Sequence, residues 1–177
     1  RDFIKQLVSK KNSAEVESKA GKIFDSLEKI LNGIFLVKEL SKHSLDQVLS
    51  AGELLSSLII SSIIDNCIYI DSREVIKTDN NFGFANVDFE KTDELLKEKI
   101  TSLNKVILMP GFIASNSKGE TTTLGRGGSD YSAAIIAAAI DAEILEIWTD
   151  VDGFMTADPK KVEKAYAGAK DSYLTFK

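Results

Sequence analysis

The chain has 177 residues, 44% hydrophobic and 28% charged, with Lys+Arg 22 against Asp+Glu 27 and a net charge of −5. The length fits one domain and the apolar share fits a folded core, while the acidic balance argues against a general nucleic-acid or anionic-membrane surface. One cysteine, Cys67, excludes a disulfide framework and a cysteine metal cluster, and with a single histidine, His43, a Cys/His zinc site or a Cys–His catalytic pair could use only these two residues.

Residues 1–65 read as helical. Phe3, Ile4, Leu7 and Val8, and then Ile23, Leu27, Ile30 and Leu31, recur at helical spacing. Asn32-Gly33 reads as a helix stop. Ser44, with Gln47 three residues on, reads as a capping box that opens a helix to about Ile64. That helix is apolar nearly all round, which predicts burial, except for a stripe of Ser50, Glu53, Ser57 and Ser61 on one face. Beyond Asp65-Asn66 the pattern becomes α/β over residues 66–177. Cys67–Asp71 is a short strand, Asp79–Gly83 a loop, and Leu95, Leu96 and Ile100 mark a helix. Val106–Met109, ended by Pro110-Gly111, reads as a central parallel strand buried on both faces. Asn116–Arg126 reads as a polar, glycine-rich loop, Tyr131–Asp141 as a helix and Ile144–Trp148 as a second buried strand. Strand, loop, helix and strand make a βαβ unit, so a parallel sheet with helical crossovers is expected. Cys67, Met109, Trp148 and the phenylalanines are expected in the core, and His43 at the surface. No uncharged apolar run reaches the ~18–20 residues of a membrane span, and no signal peptide is present, so a cytoplasmic protein is expected.

Three segments carry chemistry. Leu124-Gly125-Arg126-Gly127-Gly128-Ser129-Asp130 runs directly into a helix. Its glycines let the backbone approach an anion, and the free N–H groups of the helix start add positive potential. Arg126 offers a two-point match to a carboxylate or phosphate, and Asp130 adds a negative charge that a simple anion trap would avoid. Together they suit an amino acid; the alternative is a surface hairpin before a helix. The segment is neither a Rossmann fingerprint nor a P-loop, since no third glycine and no Gly-Lys-Ser/Thr completes it. Thr149-Asp150-Val151-Asp152-Gly153 follows the second strand, where open parallel sheets place ligands, although an Asp/Gly turn reads equally well and the EF-hand pattern does not fit. Glu53 is a carboxylate in an apolar helix, costly to bury unless it is paired or faces a cleft; a solvated groove edge is the other reading.

These segments closely resemble aspartate kinases of the amino-acid-kinase superfamily. The resemblance rests on Leu45-Asp46 with Ser50–Ser57, Asp71-Ser72-Arg73 with Ile76–Asp79, Pro110–Ala114, Leu124–Asp130, and Ile147–Gly153 with Thr156-Ala157-Asp158-Pro159, spanning about Gly33 to Lys161. It implies a three-layer αβα sandwich around a mainly parallel sheet, and ATP-dependent phosphorylation of L-aspartate to 4-phospho-L-aspartate. By the same resemblance Arg126 grips the aspartate α-carboxylate, Glu53 and Asp130 accept from its ammonium group, and Ser129 lies beside them, with Arg126 and Asp130 as the catalytic pair. Thr149, Asp150, Met155, Lys160 and Lys170 are implied as nucleotide contacts. Met155 and Lys160 replace a usual Tyr and Arg, and Lys170 stands in an echo of a Phe-Gly-Ala-Lys motif. Mg²⁺ is expected on the ATP phosphates, with no protein metal site, no nucleic-acid or membrane partner, and a homodimer or higher homo-oligomer. Another carboxylate kinase, a non-catalytic aspartate- or nucleotide-binding fragment, and a parent fused to homoserine dehydrogenase are the competing expectations. The family's Lys-Phe-Gly-Gly-Thr-Ser loop has no counterpart in the 177 residues. The expectation is therefore a partial catalytic domain, with segments missing before Arg1 and near Ala165.

Overall fold

The computed structural model describes residues 10–100, 105–148, 161, 162 and 164. Helix α1 spans Lys10–Val37 and α2 spans Lys42–Ile63. Strand β1 is Cys67–Tyr69, the short helix α3 is Ser72–Val75, and β2 is Lys77–Thr78. Then come α4 at Phe89–Ile100, β3 at Val106–Leu108, β4 at Ile113–Asn116, β5 at Thr121–Thr123 and α5 at Gly128–Ala139.

Strands β1 and β3 pair in parallel, with Cys67 opposite Val106 and Tyr69 opposite Leu108. Strand β2 pairs in parallel with β4, which turns back on β5 as an antiparallel hairpin. The main core gathers Ile70, Val75 of α3, Ile76, Ala114 of β4 and Leu124 with Leu96 of α4 and Ile135 of α5. A second cluster joins Val16 and Ala20 of α1 to Leu58 of α2. Helix α2 therefore serves both parts: it packs on α1 and also lies against β1 and β5.

Several expectations need correction. Helix α1 runs through Asn32-Gly33 to Val37, and the left-handed residue that ends it is Lys38, at φ 60°. A glycine inside a helix costs only about 1 kcal/mol, which packing against α2 can offset. The N-cap of α2 is Ser41, whose hydroxyl accepts from the Ser44 amide, so the cap lies one turn before Ser44. The helix is not buried all round: Leu49 and Ile60 are exposed. On its polar stripe, Ser50 and Ser61 donate to backbone carbonyls of their own helix, and only Ser57 turns to Glu53. Strand β3 is not central, since its one partner among the described residues is β1 and Val106 is exposed. The polar stretch 116–126 holds the end of β4 and all of β5, because Thr121–Thr123 face a buried layer where their hydroxyls find partners. Residues 144–148 form no strand: a strand exists only as part of a ladder, and no described segment pairs with them. Trp148 is 90% exposed there, and Phe24, Phe35, Phe84 and Phe89 are also exposed rather than in the core. Met109 packs against the main core, Cys67 is half-buried, and the His43 ring tilts against Phe82 at 4.6 Å. No helix among the described residues is long and apolar enough to cross a membrane.

Candidate active site

The turn after β3 is the hub of the site. Three helices and the residue after β5 hold its backbone. Ser72 of α3 donates to the Pro110 carbonyl. The Gly111 amide donates to Glu53 Oε1 of α2 at 3.0 Å. The Phe112 amide donates to Ser132 Oγ of α5 at 3.0 Å, while the Phe112 carbonyl accepts from the Leu124 amide at 2.9 Å. Such over-determination sustains an otherwise unfavourable backbone: Phe112 sits at φ 49°, a conformation costing a bulky residue roughly 1–3 kcal/mol.

Helix α5 begins against this turn. A Cβ placed on Gly111 would lie 3.0 Å from Ser129 Cα, and one on Gly128 would lie 2.7 Å from Phe112 Cβ. Glycine at both positions is what lets the helix start approach the turn. The N-cap of α5 is Gly127 at φ 74°, with no side-chain hydrogen bond closing the helix end. Ser132 locks the first turn by donating to the Gly128 carbonyl at 2.8 Å. An uncapped helix N-terminus of this kind favours a negative group in front of it.

The structure thus brings Glu53 and Ser129 to the two sides of Gly111. Glu53 is half-buried; its Oε1 also receives the Ser57 hydroxyl at 3.4 Å, and among the described residues its Oε2 accepts no hydrogen bond. Arg126 and Asp130 sit one in the loop and one in the first turn of α5, both exposed. The ion pairs among the described residues are Glu15–Lys19, Asp71–Arg73 and Glu74–Lys99, so Glu53, Arg126 and Asp130 enter none of them. Charges of both signs, committed to no ion pair among the described residues, lie about one helix start and suit a zwitterion with its carboxylate toward Arg126 and the α5 N-terminus. Thr149, Asp150, Met155, Lys160 and Lys170 lie outside the described residues. No group of three or more His, Cys, Asp or Glu side chains among the described residues could hold a metal ion.

Reasoning from sequence missed the Gly111 amide, Ser132 and Asp46. The signal for the first was Pro110-Gly111 closing a strand, where a backbone amide leaves the ladder and is free to meet a carboxylate. Beside Glu53, burial and the carboxylates of Asp71, Glu74 and Glu53 raise the Tyr69 phenol well above its ordinary 10.0, and the Arg73 guanidinium opposes them. A raised folded-state value means that the unfolded chain gives up this proton first, so stability is intact below pH 10.0 and is lost as pH rises above it. Tyr69→Phe should therefore lose less urea resistance than the wild type between about pH 9 and pH 11. Equal losses in the two proteins would show that Tyr69 is not the group responsible.

The amino acid kinase family profile matches residues 2–169. The chain belongs to the amino acid kinase family. It is 38% identical over 154 residues to lysine-sensitive aspartokinase 3 of Escherichia coli K12, covering 81% of this chain and 34% of that protein. It is 37% identical over 156 residues to the bifunctional aspartokinase/homoserine dehydrogenase of Buchnera aphidicola, covering 85% of this chain and 19% of the relative. The crystal structure of E. coli aspartokinase III in complex with aspartate and ADP superposes with a TM-score of 0.82 at 33% identity, over 93% of this chain and 37% of that one. The chain thus spans about a third or less of the length of these relatives, and its α/β architecture is that of the family.

Proposed function

We propose that this chain is part of the catalytic domain of an aspartate kinase, transferring the γ-phosphoryl group of ATP to the side-chain carboxylate of L-aspartate. The observation that carries this reading is the Glu53–Gly111–Ser129 arrangement at the open start of α5, with Arg126 in the loop before it. The likeness to an aspartokinase that was crystallised with aspartate and ADP supports the choice of substrate. In this reading Arg126 and the α5 N-terminus take the α-carboxylate, while Glu53 Oε2 and Asp130 take the ammonium group. That leaves the substrate's side chain directed at the nucleotide. One of its carboxylate oxygens attacks the γ-phosphorus, the bond to the β,γ-bridging oxygen breaks, and ADP leaves. Little covalent work falls to the protein, so rate comes from alignment and from neutralising the charge of the transferring group.

Thr149, Asp150, Met155, Lys160 and Lys170 are proposed as nucleotide contacts, with Mg²⁺ entering on the ATP phosphates. The product would feed the biosynthesis of aspartate-derived amino acids in the cytoplasm, in a homodimer or higher homo-oligomer. Coupled ADP release by the full-length protein over a panel of carboxylates tests the proposal. Turnover is expected with L-aspartate and not with glutamate or N-acetylglutamate, because the pocket needs a free ammonium group at fixed reach. Preference for either of the other two would overturn it.

A further inference from the structure

Asp46 is fully buried in α2, with no cation among its partners in the described residues. A carboxylate removed from water persists only if its oxygens are met, and three donors meet these. Oδ2 accepts from the Gly83 amide at 2.9 Å and the Thr123 amide at 3.1 Å, and Oδ1 accepts from the Thr123 hydroxyl at 2.8 Å.

What those donors belong to gives the contact its meaning. Thr123 ends β5 and stands three residues before Arg126. Gly83 lies in the 79–86 loop, which Asp79 braces by accepting from the Asn81 and Asn86 amides at 3.0 Å each. The neighbouring Phe84 covers the backbone of Gly125, so closely that a Cβ there would lie 2.4 Å from its ring. One carboxylate therefore holds both the strand that feeds the Arg126 loop and the segment that covers its first glycine. Seven residues further along α2, two turns on and about 10.5 Å up the same face, is Glu53. A rigid helix thus carries the joint at one point and the ammonium acceptor at the other.

We propose that Asp46 is a positioning residue for the amino-acid substrate, fixing the distance between Glu53 on α2 and Arg126 on the loop after β5. This rests on the aspartate-kinase reading above. A zwitterion needs both charges at one separation, and ATP needs neither, so the consequence falls on the amino acid. In the full-length protein, Asp46→Asn keeps the side chain's shape but places an NH₂ against groups that already donate. The KM for aspartate should rise about tenfold, with kcat and the KM for ATP within about threefold, and the calorimetric Kd for aspartate should rise in step. Thr123→Val should reproduce a smaller part of the effect and Thr123→Ser should restore it, since serine keeps the hydroxyl. If Asp46→Asn does not accumulate folded, that threonine pair carries the same test. A folded Asp46→Asn with a wild-type KM for aspartate would overturn the proposal. So would a parallel loss in kcat and both KM values, the mark of a purely structural role. A wild-type protein without aspartate-dependent ADP release would instead sink the functional reading itself.

Discussion

Arg126→Ala in the full-length protein should lower kcat/KM for aspartate about 10³-fold while leaving the KM for ATP within about threefold. Arg126 is exposed and enters no ion pair among the described residues, so its removal leaves no buried charge behind there and should leave the fold intact. On the proposed reading, what is lost is a charge-assisted two-point contact to the α-carboxylate. Hydrogen bonds to charged groups contribute about 1.5–3 kcal/mol each, and water replaces part of that, so a net loss near 4 kcal/mol is expected. Arg126→Lys keeps the charge without the fork and should recover only part of the activity. Steady-state kinetics in both substrates decides the matter: unchanged values in Arg126→Ala would remove this residue from the site, and an equal loss toward both substrates would move it to the phosphates.

Gly111→Ala should damage stability and aspartate use together. The new methyl would lie 2.9 Å from Ser129 Oγ and 3.0 Å from both Ser129 Cα and Cβ. A flexible side-chain end could swing away, but the Ser129 backbone belongs to the first turn of α5 and moves only with the helix. Overpacking of this kind costs about 1–3 kcal/mol, and a thermal melt should show a midpoint several degrees lower. Any displacement of α5 also separates Ser129 and Asp130 from Glu53, so kcat/KM for aspartate should fall about 10²-fold. Gly33→Ala is the control, because a Cβ there meets nothing within 4 Å and helix α1 should gain slightly from it. Wild-type kinetics in Gly111→Ala would mean that the helix start does not have to sit against the turn.

The local parts of the candidate site can be read from the sequence, and the parts made by distant neighbours cannot. Glycines before an apolar Ala/Ile run announce a loop entering a helix, so Arg126, Ser129 and Asp130 could be singled out from chemistry within seven residues. Glu53 could be found because a carboxylate in a greasy helix needs a reason. Asp46 has the same reason but lies two residues beyond Ser44, where it reads as the ordinary acidic first turn of a helix. The cap at Ser41 places it deeper in α2 than that pattern suggested. Strands β2, β4 and β5 are two to four residues long and rich in Ser, Thr and Asn, so no period of two has room to appear. Their polar side chains are buried because they satisfy one another, as Thr78 and Thr122 do at 2.8 Å. The opposite error occurred at 144–148, where an apolar run has the composition of a strand but no ladder among the described residues. Composition reports what a segment prefers, and pairing decides what it becomes.

The two joints of α2 also govern when the pocket can exist at all. Glu53 reaches a partner 58 residues away along the chain, and Asp46 one 77 residues away. Contacts that long close late, since the chain between them must be ordered before they reward it. During synthesis α2 leaves the ribosome well before β5, so its two carboxylates wait in solvent until Thr123 emerges. Aspartate affinity is then expected to arrive in a single step with the closing of the α/β part, and nascent chains that stop short of β5 should hold helical structure without binding the amino acid.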